Sequence, residues 1–263
     1  MAEQAIRFDD GAAYERMMGV WSALAGDVFL DWLAPPSGLR WIDVGCGNGA
    51  FTQRIAERCA PASLLGIDPS EAQLAFACSR PVGGLAEFRV GDAMALAVPA
   101  ASYDAAVMAL VITLVPDPAK GTAEMARAVA PGGFVAAYIW DFPGGGFPFE
   151  PILAPMRAMG LSMAPLPRAD AAGLAALEGL WTGAGLTGIE TRVIVVERTF
   201  ASFEDFWETG VLTNSVRIPF QALAPAEGEK LKARVRENLR SDAAGRLTLS
   251  GRANAIKGRV PGR

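Results

Sequence analysis

Three carboxylates and a cluster of glycines are the residues of this chain with the most chemistry to offer. Asp43 sits in the apolar run Trp41-Ile42-Asp43-Val44, directly before Gly45-Cys46-Gly47-Asn48-Gly49-Ala50. A carboxylate inside a buried strand is costly unless something nearby needs an acceptor or a cation. Three glycines in five positions lose backbone entropy on folding, and make sense where only bare backbone fits. Asp68 closes the run Ser63-Leu64-Leu65-Gly66-Ile67, and Asp92 follows Glu87-Phe88-Arg89-Val90-Gly91. The chain has no histidine, which removes His-based general bases, triads and metal ligands together. Cys46, Cys59 and Cys78 are odd in number and lack metal-ligand spacing, so neither a disulfide framework nor a metal site is indicated. A reduced, cytoplasmic setting is the expectation.

Positioning those residues requires strands that end on one edge. Trp41–Val44, Ser63–Ile67, Glu87–Val90, Tyr103–Met108 and Phe134–Trp140 read as strands. Helical stretches open at Phe51, Pro69-Ser70-Glu71 and Lys120. Alternating strands and helices imply right-handed βαβ crossovers and a parallel sheet covered on both faces. Ala12 to Leu33 carries Tyr14, Met17, Met18, Trp21, Leu24, Val28, Phe29 and Leu33 at helical spacing. This leading helix is expected to cover the core, with Tyr14, Met18 or Trp21 able to close over a ligand.

From Asp141 the texture changes: Phe142-Pro143-Gly144-Gly145-Gly146-Phe147-Pro148-Phe149 is breaker-rich, and Met156, Met159 and Met163 follow. Methionine fills irregular core space, or lines a mobile apolar lid. Ala169 to Gly183 reads as helix, Ile189 to Glu197 as strand, Ser202 as the cap of another helix with Asp205 completing a capping box, and Ala226 to Arg240 as amphipathic helix. Leu247 to Lys257 alternates as a final strand. The whole reads as a single domain over 1–263. It comprises an N-terminal helical segment (1–38), a cofactor-binding core (39–140), cap insertions on the substrate side (141–168 and 199–240), and the rest of the core (169–198 and 241–263).

The bulk properties narrow the partners. At 51% hydrophobic residues the chain can bury a sizeable core, and a net charge of −4 offers no basic field for nucleic acid. The five Lys or Arg residues between Lys230 and Arg240 are spaced as a solvated helix face. No apolar run reaches the roughly 18 residues of a membrane span, and Met1-Ala2-Glu3-Gln4 does not open a secretory signal.

The glycine turn fits the dinucleotide pattern G-x-G-x-x-G/A loosely, with Asp68 where the ribose acid would stand. A nicotinamide-dependent oxidoreductase is therefore one reading. Asp43 within the strand, Asp92 ending the third strand, and the lack of basic residues around the turn suit an adenosine without phosphate better. S-adenosylmethionine is such a molecule. Asp43-Val44-Gly45-Cys46-Gly47-Asn48-Gly49, Gly66-Ile67-Asp68-Pro69-Ser70 and Gly91-Asp92-Ala93 resemble the first three motifs of class I S-adenosylmethionine-dependent methyltransferases. Val115-Pro116-Asp117-Pro118 and Ala130-Pro131-Gly132-Gly133 resemble the segments flanking their fourth helix. The resemblance spans Tyr14 to Trp140 and points to the ubiquinone- and menaquinone-biosynthesis-type (type 11) subgroup.

That resemblance implies an α/β, Rossmann-like, doubly wound sheet of seven mostly parallel strands, the last antiparallel. It also implies S-adenosylmethionine as cofactor. Gly45, Cys46 and Gly47 would line the methionine moiety with Asp43 beneath. Asp68 would hold the ribose, and Pro69 and Ser70 would flank the adenine. Gly91, Asp92 and Ala93 would meet its amino edge. Leu110 and Val111 would close from the fourth strand, with Tyr14 and Trp21 from the leading helix. Where many relatives carry a substrate-facing His or Asn, this chain has Thr113, and Gly144-Gly145-Gly146 also departs from them. Catalytic candidates are thus Tyr14, Thr113, Trp140 and Asp141, with Glu150 as a further carboxylate. The expected activity is methyl transfer to a small, fairly apolar metabolite. A cofactor-binding protein without catalysis is the remaining alternative.

Overall fold

The computed structural model describes residues 15–162 and 166–262. Its centre is a seven-stranded sheet of β1 (Arg40–Val44), β2 (Ser63–Asp68), β3 (Glu87–Val90), β4 (Tyr103–Ala109), β5 (Val129–Trp140), β6 (Thr187–Phe200) and β7 (Leu247–Arg259). The spatial order is β3-β2-β1-β4-β5-β7-β6. β1 to β5 pair in parallel, whereas β7 runs antiparallel to both β5 and β6. The order reverses between β1 and β4, and a doubly wound sheet leaves its ligand crevice at that point, outside the strands' carboxyl ends.

Strict alternation assigns the strands to two cores. Ala105, Val107, Ala136, Tyr138 and Trp140 face one side; Ala106, Met108, Val135, Ala137 and Ile139 face the other. Both sets are buried, which is why these strands read as continuous apolar runs. On the first face lie α1 (Val20–Leu33) and α2 (Ala50–Cys59). On the second lie α4 (Pro118–Ala128) and α6 (Leu174–Gly183); α3 (Glu71–Ser79) joins β2 to β3. Caps fix the helix starts: Ser70 Oγ accepts from the Gln73 N–H, and Asp117 Oδ1 accepts from the Lys120 N–H ahead of Pro118.

The leading helix is shorter than its periodicity suggests. A π-helical turn, Glu15–Gly19, precedes α1, and Tyr14 lies outside the described residues. Met17, Met18 and Trp21 are buried in the core, with Trp21 packed 6.4 Å from Phe200 between ring centroids. After Trp140 come α5 (Glu150–Ala158), α7 (Phe203–Gly210), α8 (Asn214–Gln221) and α9 (Pro225–Glu237). α8 carries Pro219 within it. These helices pack through Phe149, Met156, Phe206, Trp207 and Leu231 onto the α1 face. The Met156 side chain is fully buried there, as core filler.

Two of the basic side chains of α9 are engaged locally. Arg236 stacks over Phe203 at 4.3 Å and pairs with Glu204, and Lys232 lies 6.0 Å from the Trp207 ring. No helix among the described residues is long and apolar enough to cross a membrane.

Asp141 and Glu150 also have structural partners. Asp141 Oδ2 accepts from Arg252 at 2.8 Å, Oδ1 accepts from the Gly144 N–H at 3.0 Å, and Glu150 pairs with Arg157. Asp141→Ala should therefore lower stability by about 1–2 kcal/mol, the scale of a half-screened charged hydrogen-bond set. Urea denaturation reads this directly. Calorimetry should show cofactor affinity unchanged.

Candidate functional site

The turn after β1 is built by its hydrogen bonds. The Gly45 and Cys46 N–H groups both donate to the Ile67 carbonyl, at 2.7 and 3.0 Å, tying the turn to the end of β2. The Gly47 N–H donates to Asp68 Oδ2 at 2.9 Å, and the Gly49 N–H to the Cys46 carbonyl at 2.9 Å. Asn48 Oδ1 accepts from the Ala50 N–H at 3.2 Å, occupying the first turn of α2. Gly45, Gly47 and Gly49 have φ of 76°, 52° and 76°, in the region that favours glycine.

Gly45 also faces a close neighbour: a Cβ there would meet Val111 Cγ1 at 2.4 Å. Gly45→Ala should accordingly cost about 2–4 kcal/mol of stability from the left-handed backbone and overpacking combined. Thermal denaturation should show the loss, and calorimetry a weakened cofactor. Gly47 differs, since a Cβ there meets nothing within 4 Å and its open side faces the cleft.

That cleft has a volume of about 690 Å³, within the range of small-molecule sites. Asp43, Gly45, Cys46, Gly47, Asp68, Pro69, Ser70, Gly91, Asp92, Ala93, Leu110 and Val111 all line it. Trp21 does not: buried under Phe200 and Gly251, it belongs to the core, and Ser22 is the α1 residue that reaches the cleft. Thr113 and Trp140 are buried outside the cleft, and Asp141 is held by Arg252. Tyr14 is outside the described residues. Of the two stretches read as cap, 141–168 and 199–240, Pro167 alone among the described residues lines the cleft.

The wall opposite the glycine turn is apolar. Leu110 takes a φ of 63°, held by its N–H donating to the Tyr138 carbonyl at 2.8 Å. The chain then enters a short 3₁₀ turn, Ile112–Leu114, braced where the Arg168 N–H meets the Thr113 carbonyl at 3.1 Å. Leu114, Val115, Pro116 and Pro167 face the cleft from this side, while Phe51 and Tyr138 face it from the first core. Sequence reasoning missed Phe51 and Tyr138, although Phe51 stands in the glycine motif itself. Pro167 carried no signal, because only the chain's return past the Arg168 contact brings it there.

The electrostatics separate the carboxylates. Asp43 is fully buried; Oδ2 accepts from Thr52 Oγ1 at 2.7 Å, and Oδ1 has no partner. Burial, only partly offset by Thr52, pushes its pKa up to about 7, with the Asp68 charge adding to the rise. Burial also raises Asp68, against the N–H groups of Ser70 and Gly47 that favour its charged form. Burial raises the Cys46 thiol further still, so this cysteine is an inert lining group. Asp92 is exposed, and its Oδ1 accepts from the Met94 N–H at 2.8 Å.

These features discriminate between ligands. A pyrophosphate needs free N–H donors at the turn and the following helix start. Here the N–H groups of Gly45, Cys46, Gly47, Gly49 and Ala50 all donate within the chain. A phosphate-free adenosine with an amino-acid tail meets the opposite offering. Asp68 keeps lone pairs for a diol, Asp43 Oδ1 is an acceptor short of a cation, and the open side of Gly47 admits a ligand against bare backbone.

Comparison with known proteins agrees. Residues 42–137 match the family model described as a methyltransferase domain. Over 132 residues the chain is 33% identical to nocamycin O-methyltransferase of Saccharothrix syringae, covering 46% of this chain and 47% of that one. Over 112 residues it is 37% identical to the ubiquinone biosynthesis O-methyltransferase of Ralstonia nicotianae, covering 40% and 46%. The chain thus spans about half the length of these curated relatives. In fold it superposes on Haemonchus contortus phosphoethanolamine N-methyltransferase 2, solved with S-adenosyl-L-methionine. The TM-score is 0.60 at 18% identity, covering 98% of this chain and 59% of that one.

A sheet of order 3-2-1-4-5-7-6 with an antiparallel β7 and a glycine turn after β1 is the class I, Rossmann-like methyltransferase fold. Residues 42–137 are thus similar to the methyltransferase domain of the type 11 group, carried on a fold of that class. S-adenosylmethionine is the cofactor of the family, and the cleft residues fit it.

Proposed function

We propose that this chain transfers a methyl group from S-adenosylmethionine to a small, fairly apolar metabolite. The observation that carries the reading is a single cleft with an acid-lined cofactor end, where Val111 packs on Gly45, and an apolar far wall of Leu114, Val115, Pro116 and Pro167. When bound, the cofactor supplies an electrophilic methyl on a good leaving group, the sulfonium. Asp43 Oδ1 takes the amino end of the methionine tail, Asp68 the ribose hydroxyls, and Asp92 the adenine amino group, with Pro69 and Ser70 beside the ring. The apolar wall would exclude water and hold the acceptor beside the reacting methyl group.

The oxygen-methylating relatives support an enzyme of this kind. The committed N–H groups of the turn weigh against a nicotinamide dinucleotide. Titration calorimetry with S-adenosylmethionine and its demethylated product should show one-to-one binding at micromolar concentrations. A thermal shift with a nicotinamide cofactor and none with S-adenosylmethionine would refute the proposal.

A further inference from the structure

β6 is an outer strand of the sheet, and from Glu190 onward it lacks the proline, lysine or bulge that commonly blunts such an edge. It pairs regularly with β7 from Glu190 to Phe200, and among the described residues β7 is its one strand partner. Its even-numbered side chains Ile194, Val196 and Phe200 point into the first core. On the opposite face Ile189 packs against the second core, and Thr191 donates to Glu178 of α6 at 3.3 Å. Beyond that helix the same face leaves Val193 and Val195 bare, at 44% and 58% exposure. Two β-branched residues side by side on an exposed sheet face form a patch, unlike apolar residues scattered singly.

The charges along β6 decide what fits this edge. A strand that pairs antiparallel with its own copy, about a twofold axis perpendicular to the sheet, matches residues of like parity, because every side chain keeps its face. Centred on Ile194, such pairing sets Val193 against the partner's Val195 and Glu190 against the partner's Arg198, each twice over. Glu190 is open to this contact: its side chain is 62% exposed and pairs with Lys257 at 3.2 Å on its other flank. Arg198 is held ready for it. Its Nη1 donates to the Arg16 and Met17 carbonyls at 3.2 and 3.1 Å, and the guanidinium lies 4.4 Å over Phe200, contacts that fix the charge without cancelling it. Sliding the copy two residues one way brings Arg192 opposite the partner's Arg198. Sliding it the other way sets Glu190 against the partner's Val196 and Val195 against the partner's Thr191. Opposite charges and β-branched pairs across strands are favourable and like charges are not, so the central register is the best of the three.

We infer that β6 is the interface of a homodimer, in which two copies join antiparallel through this strand, Ile194 against the partner's Ile194, into one continuous sheet. The interface is isologous, so each favourable pair counts twice. The twofold axis reverses strand direction. The two clefts, at the carboxyl ends of the parallel strands, therefore open on opposite edges of the joined sheet and both stay accessible. The inference stands apart from the methyltransferase reading, since the residues lining the cleft lie outside β6.

Sedimentation velocity on the whole chain should show a dimer at protein concentrations of tens of micromolar. Val195→Lys, a change at an exposed position, should weaken that dimer at least tenfold while circular dichroism remains that of the folded chain. A second measurement reads the register. Paired Cα atoms in an antiparallel ladder lie about 5 Å apart, within disulfide reach, whereas Val193 and the partner's Val193 are offset along the strands and fall outside it. Under mild oxidation, co-expressed Val193→Cys and Val195→Cys chains should therefore cross-link to each other, and either variant alone at least tenfold less. A wild-type chain that sediments as a monomer overturns the inference, whether its edge is bare or covered by another segment of the same chain. A dimer equally tight in Val195→Lys overturns it, because the contact then lies elsewhere. Cross-linking of Val193→Cys alone as readily as in the mixed pair overturns it as well.

Discussion

Replacing Asp68 by Ala should weaken S-adenosylmethionine binding by about a hundredfold or more, the largest single loss expected of any side chain in the cleft. Two costs coincide at this residue. One is the loss of charge-assisted hydrogen bonds to the ribose. The other is internal: Oδ2 holds the Gly47 N–H and Oδ1 the Ser70 N–H, so the same carboxylate fixes the glycine turn and the start of α3. Asp68→Asn separates them, since an amide keeps an oxygen for one N–H but presents a donor where the second acceptor stood. Calorimetry should rank wild type above Asn and Asn above Ala. Equal affinities for all three would exclude Asp68 from the ribose site.

The second large effect is a pH dependence centred on Asp43. With its pKa pushed up to about 7, this buried carboxyl is half-protonated near neutral pH in the free protein. A cationic amino group at Oδ1 favours the ionised form, so binding takes up the cofactor and releases a proton. Affinity should fall as pH drops below about 7, approaching tenfold per pH unit. Asp43→Asn should flatten that slope and bind the cofactor weakly at every pH.

Stability moves in the opposite sense. The folded-state pKa is raised above the usual 3.8, so the group favours folding most fully below that value, and the advantage is lost as pH rises to about 7. On the order of 4 kcal/mol is at stake over this interval. Asp43→Asn should thus be the more stable protein at pH 8 without cofactor, as urea denaturation would show. A wild-type affinity that does not vary between pH 5.5 and 8 would remove Asp43 from the amino-group site.

What was legible in the sequence follows from what is local. The ends of β2 and β3 and the glycine turn are written in contiguous residues, because strand patterning, a turn and a capping side chain each act within a few positions. Ser202 reads as a cap and is one, and Ser70 caps the helix that Pro69-Ser70-Glu71 announces. β7 was legible as the antiparallel strand through the family resemblance, since alternation alone does not reveal direction. The acceptor side was not legible. Leu114, Tyr138 and Pro167 meet only because Leu110 adopts a left-handed backbone and Arg168 bridges back to Thr113, and no local pattern encodes either event. Trp21 misled for a related reason. Its helical spacing fits a ligand-facing or a core-facing role equally, and the packing of Phe200 from β6 decides for the core.

The Asn48 side chain spanning the start of α2 has a consequence for competition. Many adenosine-bearing metabolites share the ribose and base that Asp68 and Asp92 are placed to greet, and differ chiefly in what hangs from the 5′ carbon. A turn whose Gly45, Cys46, Gly47, Gly49 and Ala50 amides are already spent on Ile67, Asp68, Cys46 and Asn48 offers an incoming polyphosphate few donors to replace its water. The same turn lies over an acidic group awaiting a positive charge. Selectivity against phosphorylated rivals is thus wired into the resting protein, before any ligand arrives, by amides that point inward.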